Sequence, residues 1–434
     1  MSLVDRVRWS FRGKDAGSVR SRRLRARLRT QLRSEQRSLA TQPSSRRALV
    51  EPGRKRALGL LAASLVLAMT TWFSASAVVP QLRDEWALGD TAAAWLTIAV
   101  QLGFVTGALV SAVLNVADVV APGTAILTGA AGAAAANALL GAVSGAGAAI
   151  PLRFLTGFFL AGVYPPALKL MATWFQRGRG TALGILVGAL TLGSATPHLV
   201  NALGGLDWHT VVYATSALTL AGGLLALAVR DGPYPFPPAT FDPHQARRVF
   251  ANRGVRLASL GYFGHMWELY AMWAWFVVFY SVAVESGTGA AYATFAVIGA
   301  GAAGCWVGGV LGDRIGRPET TALAMAVSGT CALLIGLFLD APQWVVLAIG
   351  LVWGFTVVAD SAQFSTLVTE HADQAYVGTA LTMQLAVGFT LTVATIWLMP
   401  FVADAVGWRW AFAFLAPGPA LGVVAMLRLR AAAG

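Results

Sequence analysis

Gly309 to Pro318 reads G-V-L-G-D-R-I-G-R-P, a short charged stretch between two long apolar runs. Asp313, Arg314 and Arg317 are too costly to leave in hydrocarbon, so the stretch is expected to be a tight loop at a membrane surface. Gly309 and Gly312 would let two helices approach closely, and Gly316 would permit the turn. Basic residues gather on the cytoplasmic side of membrane proteins, so Arg314 and Arg317 mark that side.

Composition agrees with a polytopic membrane protein. Of 434 residues, 56% are hydrophobic and 12% charged, with a mean hydropathy of +0.64, far too apolar for an ordinary soluble chain. The formal charge of +12 is misleading, because Met1 to Arg56 alone holds 17 Lys and Arg against 4 Asp and Glu. The excess belongs to a tail, so nucleic-acid binding by the chain does not follow from it. Within that tail Leu24, Leu28 and Leu32 recur every four residues among arginines. Two readings stay open, a basic amphipathic helix on an anionic leaflet or a disordered positive-inside tail. Cys305 and Cys331 each fall inside an apolar run, which argues against a structural disulfide.

From Ala57 onward, apolar runs of about 20 residues recur, the length that crosses about 30 Å of hydrocarbon as helix. Twelve are expected near 57–79, 92–114, 123–143, 148–172, 180–203, 208–229, 256–282, 290–311, 319–339, 342–368, 376–402 and 408–428. An internal N-terminus places the tail, Arg177, Arg179, the connection from Arg230 to Arg256, Arg314, Arg317, Arg428 and Arg430 in the cytoplasm. Only Arg83, Arg153 and Arg409 fall toward the other side, so both termini are expected to be cytoplasmic. The proline- and arginine-rich connection at 230–255 separates six runs in 57–229 from six in 256–434. Such a division reads as two six-helix halves and a linker, behind a basic tail at 1–56.

The spacing G-x-x-x-D-R-x-G-R, carried by Gly309, Asp313, Arg314, Gly316 and Arg317, resembles the cytoplasmic signature loop of the major facilitator superfamily. In that family the loop joins the second and third helices of each half. The first half's counterpart would be Asn115 to Pro122, where Asp118 is present but the arginines and glycines are not. Arg153, in P-L-R-F-L-T-G-F-F-L-A-G-V-Y-P-P, resembles the fourth-helix arginine that the family associates with proton coupling or substrate charge. Near the helix boundary it also reads as an arginine reaching for the interface. Trp174 to Gly184, W-F-Q-R-G-R-G-T-A-L-G, resembles the loop after the fourth helix in nitrate/nitrite, cyanate and oxalate carriers. The glycine runs of the fifth and eleventh spans carry no asparagine, and the second and eighth spans carry no anion-clamping arginine. A neutral or cationic organic solute therefore stays open beside a small anion.

Polar residues inside the runs are the candidate functional groups. Tyr164, Pro165 and Pro166 should break the fourth span where a cavity or a close neighbour can accept the freed carbonyls. The seventh span, Y-F-G-H-M-W-E-L-Y-A-M-W-A-W-F, places His265 and Glu268 three residues apart, on one face and within reach of each other. Glu268 lies about 18 Å along the helix at 1.5 Å per residue. A bare carboxylate there costs about 2.5 to 3.5 kcal/mol, so it should be protonated, paired or wetted. The expectation is that Glu268 couples protons or faces substrate, tuned by His265. Asp360 and Gln363 in the tenth span and Ser74 in the first complete the set, while His198 is a candidate for the outer mouth.

The sequence contains no nucleotide-binding loop, no H-E-x-x-H helix and no Cys/His metal cluster. The expected protein is an all-α secondary transporter without cofactor or catalytic site, driven by a proton or exchange-ion gradient. It would move a small solute by alternating access as a monomer, in a bilayer such as the bacterial inner membrane. A non-transporting sensor of the same fold, with the tail as output, is the alternative.

Overall fold

The structure, a computed structural model, describes residues 53–433 apart from 115, 176–177, 205–206, 235–245, 285–286 and 374–375. All but the last four residues of the basic tail, Arg177 and the middle of the 230–255 connection lie outside the described residues.

Every described crossing element is helical. The chain runs through α1 (Arg54–Ala68), α2 (Val79–Trp86), α3 (Asp90–Val113), α4 (Pro122–Ala138), α5 (Ala146–Leu160), α6 (Tyr164–Ala172), α7 (Arg179–Leu203) and α8 (Trp208–Ala226). It continues as α9 (Arg253–Ala283), α10 (Gly287–Ile315), α11 (Arg317–Leu334), α12 (Gln343–Val357), α13 (Ser361–His371), α14 (Val377–Val406) and α15 (Pro417–Ala433). Among the described residues, eleven helical stretches are long and apolar enough to cross a membrane, and α1 with α2 form a twelfth crossing bent by 50°. The fourth span is α5 with α6, and the tenth is α12 with α13. Every expected run coincides with one of these crossings.

The two sets of six pack alike. The second span lies on the fourth, the third on the sixth, and the first on the fifth and sixth. In the same way the eighth lies on the tenth, the ninth on the twelfth, and the seventh on the eleventh and twelfth. The repeat extends to single residues. Gly103 packs on the carbonyl of Phe154 and Gly107 on that of Phe158, and at the same spacing along the chain Gly304 packs on Phe355 and Gly308 on Ala359. Between the two sets, the fifth span packs along the eighth and the second along the eleventh.

Two irregular places matter for function. In the first span the helix tightens into a 3-10 turn at Met69–Thr71, turns through 72–75, and restarts at Ser76–Val78. Pro80 sits in the first turn of α2, where its missing N–H would have had no helical partner. In the fourth span the break falls just before Tyr164, and both prolines occupy the first turn of the restarted helix. Gly162 and Val163 donate to the carbonyls of Phe159 and Leu160, so the chain tightens to three-residue turns at the break, with Gly129 packed alongside.

The Gly309–Pro318 stretch is less of a loop than its charges imply. Helix α10 continues to Ile315, Gly316 alone turns the chain (φ 107°), and α11 starts at Arg317. Charged side chains need to lie beyond the hydrocarbon but need not leave the helix. Asp313 and Arg314 are exposed, so the helix can carry them out.

Candidate functional site

Arg153 is fully buried and does not reach for an interface. Its Nη1 donates to Thr71 O at 2.9 Å and to Ser74 Oγ and Asn137 Oδ1 at 3.0 Å each. Nη2 donates to Trp72 O at 2.5 Å, and Nε to Leu96 O at 3.2 Å. The break in the first span leaves helix-terminal carbonyls without helical partners, and a cation beside them is favoured electrostatically. Arg153 therefore closes the end of the first helix segment and ties it to the second and third spans. Asn137 extends the cluster by donating to Val212 O, Thr215 and Ser216 of α8. All the acceptors Arg153 uses are neutral.

In the second set the buried titratable residues fall into two separate groups. Glu268 and His265 are both buried, but they do not bond to each other. Glu268 Oε1 accepts from Trp353 Nε1 at 2.7 Å and Oε2 from Ser328 Oγ at 2.9 Å, which binds it to the tenth and ninth spans. His265 instead meets Asp360, with Nδ1 2.9 Å from Oδ1 and both side chains buried. That contact is an ion pair by distance but lacks the alignment of a directed hydrogen bond, and His265 Nε2 has no partner. The pair lies against the rings of Tyr262 and Phe364.

Between the two sets, near the break in the first span, six aromatic side chains meet. Trp72 and Phe73 of the break and Phe104 of α3 come from one set; Tyr270 and Trp273 of α9 and Phe389 of α14 come from the other. Ring centroids lie 4.8 to 6.1 Å apart, the range in which aromatic pairs attract. All six are buried, yet Trp72 Nε1, Trp273 Nε1 and both amide atoms of Gln101 have no hydrogen-bond partner. His198, assigned to the outer mouth from sequence, is fully buried in α7, with Ser194 one turn before it. Neither His198 ring nitrogen nor Ser194 Oγ has a partner.

At the end of the molecule that carries Gly316, Arg317 is the hub. It reaches Glu370 Oε1 at 2.9 Å, Gln363 Oε1 at 2.7 Å and Asp313 Oδ1 at 3.3 Å. Asp313 also accepts from Thr181 Oγ1 of the fifth span at 3.1 Å, so the signature residues close onto the other set of helices. Gly309 packs beside Gly180 and Thr181, and Gly184 and Gly188 against the backbone of Cys305 and Ala302. Arg314 is exposed. Asp118 falls in a short helix, Val116–Val119, but its side chain lies outside the described residues.

The structure thus unites Arg153 with Ser74, His265 with Asp360, and Gln363 with Arg317, and leaves Tyr164, half-buried at the start of α6, outside all three clusters. Sequence reasoning missed Asn137, Gln101, Phe104, Ser328, Trp353, Phe389 and Thr181. A lone amide or serine in an apolar run was a visible signal for Asn137, Gln101 and Ser328. The others acquire meaning only from the helix opposite.

Residues 60–393 match the family described as the Major Facilitator Superfamily. No curated protein matches the chain in sequence. Among solved structures, the chain is similar to a bacterial homologue of the human lysosomal transporter Spinster, in an inward-facing and unoccupied conformation. Identity is 15% and the TM-score 0.61, over 88% of this chain and 96% of that one. At that identity the likeness concerns the fold, and neither match singles out the nitrate/nitrite or cyanate branch.

Proposed function

Because the chain belongs to the major facilitator superfamily and is a membrane transporter of that fold, we propose that it is a proton-coupled secondary transporter with both termini in the cytoplasm of a bacterial inner membrane. The observation that carries proton coupling is the buried His265–Asp360 contact between the seventh and tenth spans. An imidazole and a carboxylate at 2.9 Å can hold one proton as a paired unit or two when water reaches them. The loose alignment and the unpartnered Nε2 mean that no directed hydrogen bond fixes the pair. Glu268, whose two oxygens are already engaged by Trp353 and Ser328, is the less suitable carrier.

Orientation follows the arginines. Arg314, Arg317, Arg428 and Arg430 share the end of the molecule assigned to the cytoplasm, where Thr181 and Asp313 close the seam. Alternating access requires that bond to break as the two sets rock apart on that side, with the glycine-lined fifth and eighth spans as the sliding surface.

The test is uptake in proteoliposomes under an imposed proton gradient, with a solute panel and internal pH recorded together. Asp360→Asn should abolish accumulation against a gradient while sparing exchange between equilibrated pools. Accumulation by Asp360→Asn equal to that of the parent would place coupling elsewhere. Substrate movement by the parent without any pH change would remove the proton from the mechanism.

A further inference from the structure

The seam near the break in the first span combines two properties that rarely coexist in a protein interior. Its walls are the rings of Trp72, Phe73, Phe104, Tyr270, Trp273 and Phe389, and among them are buried polar atoms that no protein group satisfies. Gln101 belongs to this place by helix geometry. Four residues before it, Thr97 bonds Ser76 at 2.6 Å, and three residues after it, Phe104 packs on Trp72 and Phe389. Residues three and four apart share a helix face, so Gln101 lies on the face of α3 that meets the break.

A buried amide or indole N–H left without a partner is destabilising, because its desolvation is not repaid by a hydrogen bond. Native interiors contain few such groups, and each calls for an explanation. Here three side chains with four such atoms occupy one seam, between the two helix sets that must part during transport. Three of the atoms carry N–H donors, Trp72 Nε1, Trp273 Nε1 and Gln101 Nε2, and one, Gln101 Oε1, accepts. Among the described residues no charged side chain keeps a free group for a ligand here: the Arg153 N–H groups are taken up by neutral acceptors at the break, Glu268 by Trp353 and Ser328, and Asp360 faces His265. An ion brought into such a place would be desolvated with no side chain free to hydrogen-bond it as a partner.

We propose that the ring-lined seam around Trp72, Gln101 and Trp273 binds the transported solute, and that this solute is an uncharged aromatic molecule with a carbonyl acceptor and a hydrogen-bond donor. The inference rests on the transporter reading above and gives that reading a substrate class. The rings take the flat body of the solute, the indole and Gln101 N–H groups donate to its carbonyl, and the Gln101 carbonyl accepts from its donor. When the sets part, the ring contacts across the seam are replaced by contacts with the solute.

Binding is measured on the purified full chain in detergent, where no transport is needed. Benzanilide serves as the neutral aromatic acceptor, benzoate as the aromatic anion, nitrate as the small anion and trimethylphenylammonium as the aromatic cation. Benzanilide should bind saturably and at least tenfold more tightly than the three ions. Gln101→Leu and Trp273→Phe should each weaken it about tenfold, with Gln101→Leu raising the melting temperature of the free protein because two orphaned atoms are gone. Trp397→Phe, on an exposed ring, should change neither property. Any of three results overturns the proposal: no saturable benzanilide binding, an ion that binds as well, or affinities within twofold of the parent in both seam variants. If benzanilide binds but vesicles move no solute of the panel, the site stands and the transport reading falls. If protons drive benzoate or nitrate into vesicles and benzanilide does not bind, the transport reading stands and this inference falls.

Discussion

The two six-helix sets solve the same packing problem with different chemistry. In each, a donor on the fourth helix of the set reaches an acceptor on the first, and a polar residue on the third completes the knot. In the first set the donor is Arg153, the acceptors are carbonyls freed by the helix break, and Asn137 is the third member. In the second the donor is Trp353, the acceptor is Glu268 on an unbroken helix, and Ser328 is the third member. Broken backbone matched to a cation in one set stands where intact backbone and a carboxylate stand in the other. A residue's charge is thus a poor guide to its role here. Arg153 and Glu268, the charges that look most functional in sequence, are engaged inside their own sets, whereas the aromatic part of the seam between the sets is lined by neutral groups.

The comparison is most severely tested at Arg153. Arg153→Ala strips Trp72 O of its side-chain donor and leaves Thr71 O and Asn137 Oδ1 to share the single Ser74 hydroxyl, around a cavity the size of a guanidinium, so little folded protein should be recovered by size-exclusion chromatography. Arg153→Lys should restore part of the yield. A well-folded Arg153→Ala protein that has lost only transport would make the arginine a substrate or coupling group. In the other knot, Glu268→Gln keeps an acceptor for Trp353 and can donate to the Ser328 hydroxyl. It should lower the melting temperature by roughly 2–4 °C and retain proton-driven accumulation. Loss of accumulation in Glu268→Gln, with Asp360→Asn unaffected, would exchange the roles assigned to the two acids.

Glycines separate packing within a set from packing between sets. An alanine at Gly107 would meet Ala161 Cβ at 2.9 Å inside the first set, whereas one at Gly184 would meet Cys305 O at 2.7 Å across the seam. Gly107→Ala should therefore lower the melting temperature, while Gly184→Ala should loosen the seam in a folded protein. Cys305, buried beside Gly184, reports this directly. Its alkylation should quicken about tenfold in Gly184→Ala, the response to a population shift of about 1.4 kcal/mol, measured by mass spectrometry with Cys331→Ser as background. Equal rates would mean that the fifth and eighth spans do not set the closed state.

The smallest expected effect compares two helix caps of one geometry. Asp207 accepts from the amides of His209 and Thr210, and Asn252 from those of Gly254 and Val255. Replacing either by alanine should cost roughly 2–4 °C at neutral pH. The Thr210 hydroxyl, then the two amides, hold the Asp207 carboxyl below its ordinary range, so its contribution is present above about pH 4 and is lost as pH falls further. The Asn252 cap should show no such loss. Melting curves of both variants and the parent at pH 7 and pH 3 decide the point.

Length and periodicity of apolar runs determined the fold class, because a helix that must satisfy its own backbone in lipid needs about 20 apolar residues whatever surrounds it. The twelve crossings, the arginine bias and the Gly309–Arg317 spacing could therefore be read from the chain alone. Depth along a helix also required that Glu268 be protonated, paired or wetted, while its burial and that of His265 came from the helices around them. The partners of those residues were decided elsewhere. His265 and Glu268 share a face by spacing, but each chose a group on another helix, Asp360 for one and Trp353 with Ser328 for the other. Tertiary structure alone turned Arg153 into the cap of a helix break 82 residues earlier in the chain. It alone brought Phe104 and Phe389 together, because a hydrogen bond or ring contact depends on positions in space that a one-dimensional pattern of polarity does not encode.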